Sequence, residues 1–421
     1  MSSALVISRY FPFDPRRVHA VYQRLGTQVQ ALARVVERIE CLFLVPPDQQ
    51  RTSEELAEHE RQLSAMWSAP LSLRLAAVVR EEEPRGTWQR FGRGIFDFNA
   101  HAIARPLAND AAVEAVRAAL TTRPDLILAH RLSAVSVLLR SAVKTSAPVY
   151  FDMDDIEHVA WSRRLWRDPA WPNQRWLLLQ VPRLMLAEAQ AARRAAATFV
   201  CSEADRRYMA RFAGAGRVEV IPNSVPFPPV SAAEATEPLV LFVGSMGSRP
   251  NAQAADVLVQ SIWPRVRAAL PQARLAIIGQ GAELTTSYPA RDPSVTFLGF
   301  VDDLEAWYRR ARLVCCPIYH GSGTRVKIIE AAAHAKAVVS TRLGAEGLRF
   351  ASEHEIILRD QPTELADACV ALLRDPATAA RLGRAARERA APLYERDAVV
   401  ERLEHIFRRT SARRRAAQGL A

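Results

Sequence analysis

The sequence predicts an α/β fold in two domains, each a parallel β-sheet covered by helices. Short runs of β-branched and leucine residues alternate with longer alanine-rich stretches of helical period in both halves of the chain. A stretch with five prolines, residues 222–238, separates the two halves. Proline is excluded from helix interiors and central strands, so this stretch is predicted to be a linker. The length of 421 residues agrees with two or three domains.

Composition and charge narrow the class of protein. Hydrophobic residues make up 49% and charged residues 24% of the chain, which excludes a collagen-like or disordered protein. The formal net charge of +11 favours partners that carry phosphate or anionic lipid. The basic residues are almost all arginine, and arginine with abundant alanine is typical of GC-rich genomes, so we give the charge little weight.

The cysteines and the N-terminus predict a compartment. The five cysteines have no CxxC spacing, which favours buried thiols in a cytosolic protein over a disulfide framework or a zinc site. The chain begins with a short strand-like run and has no basic, apolar leader and no window of about 20 apolar residues. We therefore expect a cytoplasmic protein whose membrane contact, if it has one, is peripheral.

The N-terminal half, residues 1–221, is predicted to be the first domain. Its predicted strands are 5–8, 39–45, 126–129, 149–152 and 198–202. Its predicted helices are 17–34, 111–121, 134–144 and 173–196. Residues 54–93 are predicted to be a variable, partly helical insertion.

The alternation restarts after the linker and predicts a second domain over residues 239–392. Its predicted strands are 239–243, 274–278, 295–299, 313–317 and 337–340, and its predicted helices are 251–270 and 324–334. Residues 393–421 are predicted to form a C-terminal amphipathic helix, centred on 395–409, and a basic tail. Ligands of open parallel sheets bind beyond the carboxyl ends of the strands, so we expect a site in a cleft between the domains.

The segment GSGTRVKIIEAAA, residues 321–333, is the most informative motif. Its glycines allow a sharp turn, and Thr324 is predicted to cap the helix that follows. A helix N-terminus attracts phosphate, and Arg325 adds a full positive charge. Lys327 and Glu330 lie three residues apart and share a helical face, which suits the phosphates and ribose of a nucleotide. The alternative is an ordinary surface ion pair between them.

Several segments in order resemble the nucleotide-sugar-binding domain of glycosyltransferase family 4, of the GT-B superfamily. They are FVGSM at 242–246 with PN at 250–251, AIIGQG at 276–281, VTFLGFVDD at 295–303, the 321–333 motif, and GAEGL at 344–348, preceded by VCSEAD at 200–205 and VIPNSV at 220–225. The resemblance covers about residues 198–375. It implies a GT-B fold, with two Rossmann-like domains that face each other across a cleft.

The resemblance also implies roles for individual residues. Glu330 matches the second glutamate of the family's E-x7-E signature, which binds the donor ribose, and Ser322 stands where the first glutamate would be. Arg249 matches an arginine that binds the diphosphate. Asn251 stands at the position of a lysine, so Arg325 and Lys327 are inferred to provide the missing charge. Further donor-binding positions are Gly244, Gly279, Gly281, Phe300, Val301, Gly323 and Thr324, although the glycines are equally ordinary turn residues.

In the N-terminal half, His130 ends a predicted strand and matches a histidine that bonds the donor sugar in the family. By itself such a histidine is more often structural. With His130, the predicted catalytic group comprises Arg249 and Lys327. Weaker acceptor-side candidates are Arg16, Arg17, Asp154 and Asp155. The D-x-D pattern at 152–154 resembles a metal site of another glycosyltransferase fold. We reject this interpretation and predict no metal, because so short a pattern arises by chance.

Together these features and the resemblance predict a glycosyltransferase that moves a sugar from a nucleotide-sugar donor to an acceptor hydroxyl in glycan or polysaccharide biosynthesis. The resemblance implies that the reaction is retaining and metal-independent. No cofactor is expected, and the predicted partners are a nucleotide sugar and a glycan or lipid-linked acceptor, not nucleic acid. The alternatives are a nucleotide-sugar epimerase and a noncatalytic two-lobe sugar-binding protein. A dehydrogenase is disfavoured because no strand is followed by GxGxxG. The basic tail after residue 408 is predicted either to touch anionic lipid or to be merely solvated.

Overall fold

The computed structural model describes residues 2–14, 20–78, 110–167, 178–230 and 237–417, with the side chains of 20, 167 and 411–417 excepted. The chain forms two compact units. The first comprises Met1–Asn223 together with Val399–Ala421, and the second comprises Ser224–Ala398.

The described part of the first unit contains a seven-stranded sheet in which every pairing is parallel, in the order β3-β2-β1-β4-β5-β6-β7. The strands are β1 (Ser3–Ser8), β2 (Arg38–Val45), β3 (Leu71–Ala77), β4 (Leu126–His130), β5 (Val149–Asp154), β6 (Ala197–Val200) and β7 (Val218–Val220). The helices are α1 (Ala20–Ala33), α2 (Ser53–Met66), α3 (Asp110–Leu120), α4 (Arg131–Arg140), α5 (Glu157–Arg167), α6 (Val181–Arg194) and α7 (Glu203–Ala213). The central strands are buried on both faces, which explains their nearly continuous apolar sequence.

The register of the central strands aligns three polar residues at one edge of this sheet. In the β1–β4 pairing Ile7 lies opposite Ala129, so Ser8 lies beside His130. In the β4–β5 pairing His130 lies opposite Asp152. Because the strands are parallel, these side chains meet at the carboxyl edge of the sheet.

The predicted insertion contributes regular structure to the first unit. Helix α2 begins with a capping box in which the Thr52 hydroxyl and the Glu55 carboxylate each accept a backbone N–H of the other. Strand β3 follows and pairs with β2 at the edge of the sheet. Residues 79–93 of the insertion lie outside the described residues.

The second unit contains a six-stranded sheet, again with parallel pairings, in the order β10-β9-β8-β11-β12-β13. Its strands are β8 (Leu239–Val243), β9 (Arg274–Ile278), β10 (Val295–Gly299), β11 (Leu313–Cys316), β12 (Ala337–Ser340) and β13 (Ile357–Leu358). Its helices are α8 (Arg249–Val257), α9 (Trp263–Ala269), α10 (Leu304–Arg310), α11 (Val326–Ala333), α12 (Pro362–Arg374) and α13 (Pro376–Tyr394). Helices α10, α12 and α13 carry no counterpart in the sequence prediction.

The single helix predicted over 251–270 is interrupted in the structure. A π-helical turn, Leu258–Ile262, separates α8 from α9. Pro264 lies in the first turn of α9. Proline has no backbone N–H to continue the hydrogen-bond ladder of α8, which accounts for the interruption.

The last helix, α14 (Arg396–Ala417), starts in the second unit and returns the chain to the first. Its buried apolar residues Val399, Val400, Leu403, Ile406 and Phe407 belong to a core cluster of the first unit. The Phe407 ring packs edge-on against Tyr150 of β5 at 4.8 Å between ring centroids. In the part of the chain that the structure describes, no helix is long and apolar enough to cross a membrane.

Candidate functional site

Three loops at the carboxyl edge of the second sheet are joined by backbone hydrogen bonds. The N–H of Gly244, after β8, donates to the carbonyl of Ile278 at 2.8 Å, and the N–H of Met246 donates to Gln280 at 2.7 Å. The N–H of Gly279, after β9, donates to the carbonyl of Gly299 at 2.8 Å. The loops after β8, β9 and β10 therefore form one connected layer.

Two of the predicted donor-binding glycines are required by close contacts within this layer. Gly279 has a φ of +142°, and a Cβ atom there would lie 2.0 Å from the carbonyl oxygen of Gly244. Gly244 has a φ of +155°, and a Cβ atom there would lie 2.6 Å from Nζ of Lys327. Gly281 is in the left-handed region, with a φ of +83°. Gly244 lets the backbone come close to Lys327, and Gly279 lets the loops after β8 and β9 come close to each other.

Lys327 is buried beneath this layer, with 8% of its surface exposed. Its Nζ donates to Oδ1 of Asn251 at 2.8 Å and lies 4.2 Å from the centroid of the Phe242 ring. Burial lowers the pKa of Lys327 to about 8. The Asn251 side chain in turn donates to the carbonyl of Ser245 at 2.8 Å. A lysine in such surroundings is not the surface ion-pair residue of the alternative interpretation.

The motif loop before α11 is organised by Arg325. The guanidinium donates to the carbonyl oxygens of Ser322, of Gly323 at 2.9 Å and of His320 at 3.3 Å. The left-handed φ of +77° at Gly323 lets these carbonyls converge on it. The prediction that Thr324 caps the helix is wrong: the N-cap residue is Arg325, which makes no side-chain capping bond. The turn is one residue longer than the sequence suggested.

The other predicted donor-binding residues lie at the same edge of the sheet. Glu330, on α11, accepts a hydrogen bond from the hydroxyl of the buried Tyr308 at 3.3 Å. Arg249 is the first residue of α8. Phe300 is 45% exposed, and Val301 beside it is half-buried. Arg249, Phe300 and Val301 follow the carboxyl ends of strands. Glu330 lies about one turn into α11.

At the carboxyl edge of the first sheet, His130 has no exposed surface. Its Nδ1 is 2.9 Å from Oγ of Ser8, and that oxygen already accepts the N–H of Tyr10 at 3.0 Å. We assign the imidazole proton to Nε2, because the Ser8 hydroxyl then donates to Nδ1. Nε2 is 3.8 Å from Asp152 and makes no hydrogen bond within the described residues. Burial lowers the pKa of His130 to about 4, which keeps the ring neutral.

Sequence analysis missed Arg24, which is 2% exposed beside Asp152. Its Nε and Nη2 contact the Asp152 carboxylate at 3.0 and 2.6 Å, and its Nη1 donates to the carbonyl of Ile221 at 2.8 Å. The two residues are 128 positions apart in sequence. Arg24 is the one charged residue in the sequence of α1, which was the available signal, but that signal does not identify its partner.

Two residues beside this pair adopt left-handed backbone conformations without being glycine. Arg131 has a φ of +67° and Asp154 a φ of +57°. Nη2 of Arg131 is 2.5 Å from Oδ2 of Asp154, which joins the ends of β4 and β5. Such backbone strain is typical of functional sites. Asp155 is half-buried next to it, whereas Arg16 and Arg17 lie outside the described residues.

The two aspartates of the D-x-D pattern are both held by arginines. Asp152 is bound by Arg24 and Asp154 by Arg131, and Nε of Arg24 is also 3.6 Å from Asp154. The arginines hold the pKa of Asp154 well below its usual range, although burial opposes them. The carboxylates thus serve as internal counter-ions in this structure.

Comparisons with known proteins agree with this architecture. Residues 237–375 match the family described as Glycosyl transferases group 1, and residues 57–227 match Glycosyltransferase Family 4. No curated protein matches the chain.

Solved structures resemble the chain over nearly its whole length. Sucrose-phosphate synthase from Thermosynechococcus elongatus is 20% identical, covers 98% of this chain and 100% of its own, and has a TM-score of 0.68. HepE of Anabaena in complex with UDP and glucose is 15% identical over 97% and 100% of the two chains, with a TM-score of 0.64. S. aureus TarM in complex with fondaparinux, α-GlcNAc-glycerol and UDP is 11% identical over 97% and 100%, with a TM-score of 0.67.

The two parallel-sheet Rossmann-like units define a GT-B fold, which confirms the predicted fold class. The two family matches together support a glycosyltransferase of this type.

Proposed function

We propose that the protein is a family 4 glycosyltransferase that binds the diphosphate of a nucleotide sugar at Lys327 and transfers the sugar, with retention, to an acceptor hydroxyl. The observation that carries the proposal is the buried ammonium of Lys327 at the carboxyl edge of the second sheet. No metal or cofactor is required in this proposal.

Burial of the Lys327 ammonium costs free energy that a binding partner would have to offset. Desolvation disfavours its charge, and Asn251 offers only a neutral oxygen in compensation. A diphosphate nearby would compensate the charge fully, since charge-assisted hydrogen bonds are about twice as strong as neutral ones. The start of α8 brings Arg249 to the same edge of the sheet. These groups would stabilise the negative charge that develops on the departing diphosphate.

In this proposal Arg325 has a structural role and does not provide the phosphate-binding charge inferred from the sequence. Its guanidinium binds loop carbonyls, so it shapes the turn that leads into α11. We propose that Lys327 and Arg249 meet the phosphates and that Glu330, fixed by Tyr308, accepts the ribose hydroxyls. Phe300 and Val301 would flank the base.

The donor and acceptor classes are supported by the neighbours. HepE and TarM are described in complexes with UDP, with glucose in one case and a glycosyl-glycerol in the other. We therefore propose a UDP-sugar donor and a glycan or lipid-linked acceptor in polysaccharide biosynthesis. In a front-side retaining reaction the leaving phosphate oxygen takes the acceptor proton, the acceptor oxygen bonds the anomeric carbon, and the bond from that carbon to the phosphate oxygen breaks.

A thermal-shift experiment tests the donor site. UDP, GDP and ADP are added to the wild-type protein, to Lys327→Met and to Lys336→Met. Lys336 is a matched control, because it is also buried but donates to the carbonyl of Arg309 instead. We expect UDP to raise the Tm of the wild type and of Lys336→Met, and to leave that of Lys327→Met almost unchanged.

Two outcomes contradict the proposal: no nucleotide raises the Tm of the wild type, or Lys327→Met keeps the full shift. Incubation with a UDP-sugar, with and without glycan acceptors, then separates transfer from epimerisation. A transferase requires the acceptor for productive turnover, whereas an epimerase releases an altered sugar without one.

A further inference from the structure

Helix α11, which carries Lys327 and Glu330, packs against two separate clusters of the second unit. Its Ile328 and Ala331 belong to the core around the sheet. Other side chains of the helix pack with the start of the linker, where Val225 is 1% exposed. We call this second group the linker cluster; its buried members are Val225, Ile329, Ala332, Ala333, Ala386, Ala390 and Tyr394. The position of α11 therefore depends on the linker as well as on the sheet.

Both connections of the second unit to the first pass through the linker cluster. The chain enters the second unit after Asn223 and leaves it after Ala398. Just inside these points, the N–H of Val225 donates to the carbonyl of Tyr394 at 3.0 Å. The N–H of Arg396 donates to the carbonyl of Val225 at 3.1 Å. The entering and leaving segments are thus hydrogen-bonded to each other beside α11.

Arg387 of α13 joins the linker to the end of α11. Its Nη1 donates to the carbonyl of Ala333, the last residue of α11, and its Nη2 donates to the carbonyl of Pro228 at 2.8 Å. Its guanidinium carbon also lies 5.3 Å from the centroid of the Phe227 ring. The last carbonyls of a helix have no partner within the helix, and a cation is favoured there by the helix dipole. One side chain therefore connects the last turn of α11 to the linker.

The contacts of Arg387 affect the proposed donor residues through the body of α11. Glu330 and Lys327 precede Ala333 in the same helix. Ile329, between them, has no exposed surface and packs in the linker cluster. Close-packed interiors transmit displacements, so a shift of the linker would shift Lys327 and Glu330 as well.

We propose that Arg387 is a positioning residue that couples α11 to the paired segments at Val225 and Arg396. Nucleotide binding at Lys327 then stabilises this pairing, and by linkage the pairing strengthens nucleotide binding. The inference rests on the proposed function, because it takes α11 to be the helix that meets the nucleotide.

The test is amide hydrogen exchange of the full-length protein, with and without saturating UDP. Mass spectrometry of peptides that cover residues 223–230 and 394–398 reports local opening of the paired segments. We expect UDP to slow exchange in both peptides at least about fivefold in the wild type. In Arg387→Met this slowing should disappear, and the affinity for UDP should fall at least about fivefold because α11 is no longer held by the linker.

Arg374→Met is the matched control. The Arg374 side chain donates to the carbonyl of Ala269, the last residue of α9, at 3.2 Å, so it makes the same kind of contact with another helix. This variant should keep both the UDP-dependent slowing and the affinity. Arg387→Lys is a second test variant, which keeps the positive charge but lacks the fork that donates to two carbonyls. We expect it to fold, as shown by its Tm, and to lose part of the slowing.

The inference is overturned if UDP binds the wild type without slowing exchange in the two peptides. It is also overturned if Arg387→Met has a lower Tm but keeps the slowing and the affinity, since the arginine would then be structural only. Where Arg387→Met does not fold, full slowing in Arg387→Lys overturns it. Failure of UDP to bind the wild type is a different result, seen in the binding measurement itself, and it would refute the proposed function together with this inference.

Discussion

The ammonium nitrogen of Lys327 lies 2.8 Å from the amide oxygen of Asn251, although the two residues are 76 positions apart in sequence. The first belongs to α11 and the second to α8, and both helices begin at the carboxyl edge of the second sheet. The contact brings a positive charge from one helix to the start of the other. Asn251 stands where the family resemblance expects a lysine, and Lys327 of α11 places its ammonium beside that position.

The first prediction concerns the pH dependence of nucleotide binding. The pKa of Lys327 is lowered to about 8 by burial, so the ammonium loses its proton above that pH. We expect the affinity for UDP to fall about tenfold between about pH 7 and about pH 9. Calorimetric titration measures the fall. The fall should be much smaller in Lys327→Met, where only the uracil ring titrates; an equal fall in that variant would contradict the role of the lysine.

The lowered pKa of Lys327 also predicts that folding stability rises with pH, whereas nucleotide affinity falls. Between about pH 8 and its ordinary value of 10.5, Lys327 is neutral in the folded state and charged in the unfolded state. The unfolded state therefore binds more protons there, and the contribution of this group to stability rises with pH. Urea unfolding across this window should show a smaller rise for Lys327→Met than for Lys336→Met. A rise of equal size in both variants would contradict the assignment.

The second prediction concerns the close approach of two loops. In Gly279→Ala the new methyl group would collide with the carbonyl of Gly244, at a φ that alanine rarely adopts. We expect a loss of about 3 kcal/mol in the free energy of unfolding from overpacking and strain. Gly216→Ala is the control, because a Cβ atom there meets nothing within 4 Å. Urea unfolding of both variants gives the comparison, and equal midpoints would refute the close contact.

The third prediction concerns the buried ion pair of the first unit. Arg24→Met leaves the carboxylate of Asp152 buried without its partner, which should cost about 3 to 5 kcal/mol of stability. Adding Asp152→Asn should recover part of the loss, since a neutral amide is less costly to bury. The exposed pair between Arg265 and Asp367 is the control, and Arg265→Met should leave the urea midpoint unchanged. A wild-type midpoint for Arg24→Met alone would contradict this account.

The fourth prediction concerns His130 in acid. Its pKa is lowered to about 4, so between about pH 6.5 and 4 the unfolded state binds a proton that the folded state does not. Stability from this group is therefore lost as the pH falls, by up to about 3 kcal/mol. His130→Asn should lose less stability than the wild type over this range in urea unfolding. The control is the exposed His354→Asn, and identical curves for all three proteins would disprove the prediction.

The strands of the second unit show how well local sequence predicts the bounds of strands. Predicted strands 239–243, 274–278, 295–299 and 337–340 have the observed bounds, because each is a short, mainly apolar run between turn residues. The helix over 251–270 was wrong in one respect, the π-helical turn before Pro264. The sequence contains Pro264 at this position. The helical period of the sequence, however, does not show how the backbone hydrogen bonds rearrange around a proline.

The residues of the candidate site were likewise predicted only in part. The motif at 321–333 and the glycine loops were recognisable from residue types and spacing, whereas the capping role of Thr324 was not correct. Arg24 was missed because a buried arginine is explained only by its counter-ion, and that counter-ion is on a distant strand. The expectation of a site in a cleft between the domains stays a prediction.

By itself, then, the sequence determined the alternation of strands and helices, the two sheets and the chemistry available at their edges. Those properties depend on local period and residue type. The tertiary structure alone decided that α14 completes the first unit, that Lys327 reaches Asn251, and that Arg24 neutralises Asp152. These are pairings between distant segments, and only the register of parallel strands and the packing of helices bring such segments within hydrogen-bonding distance.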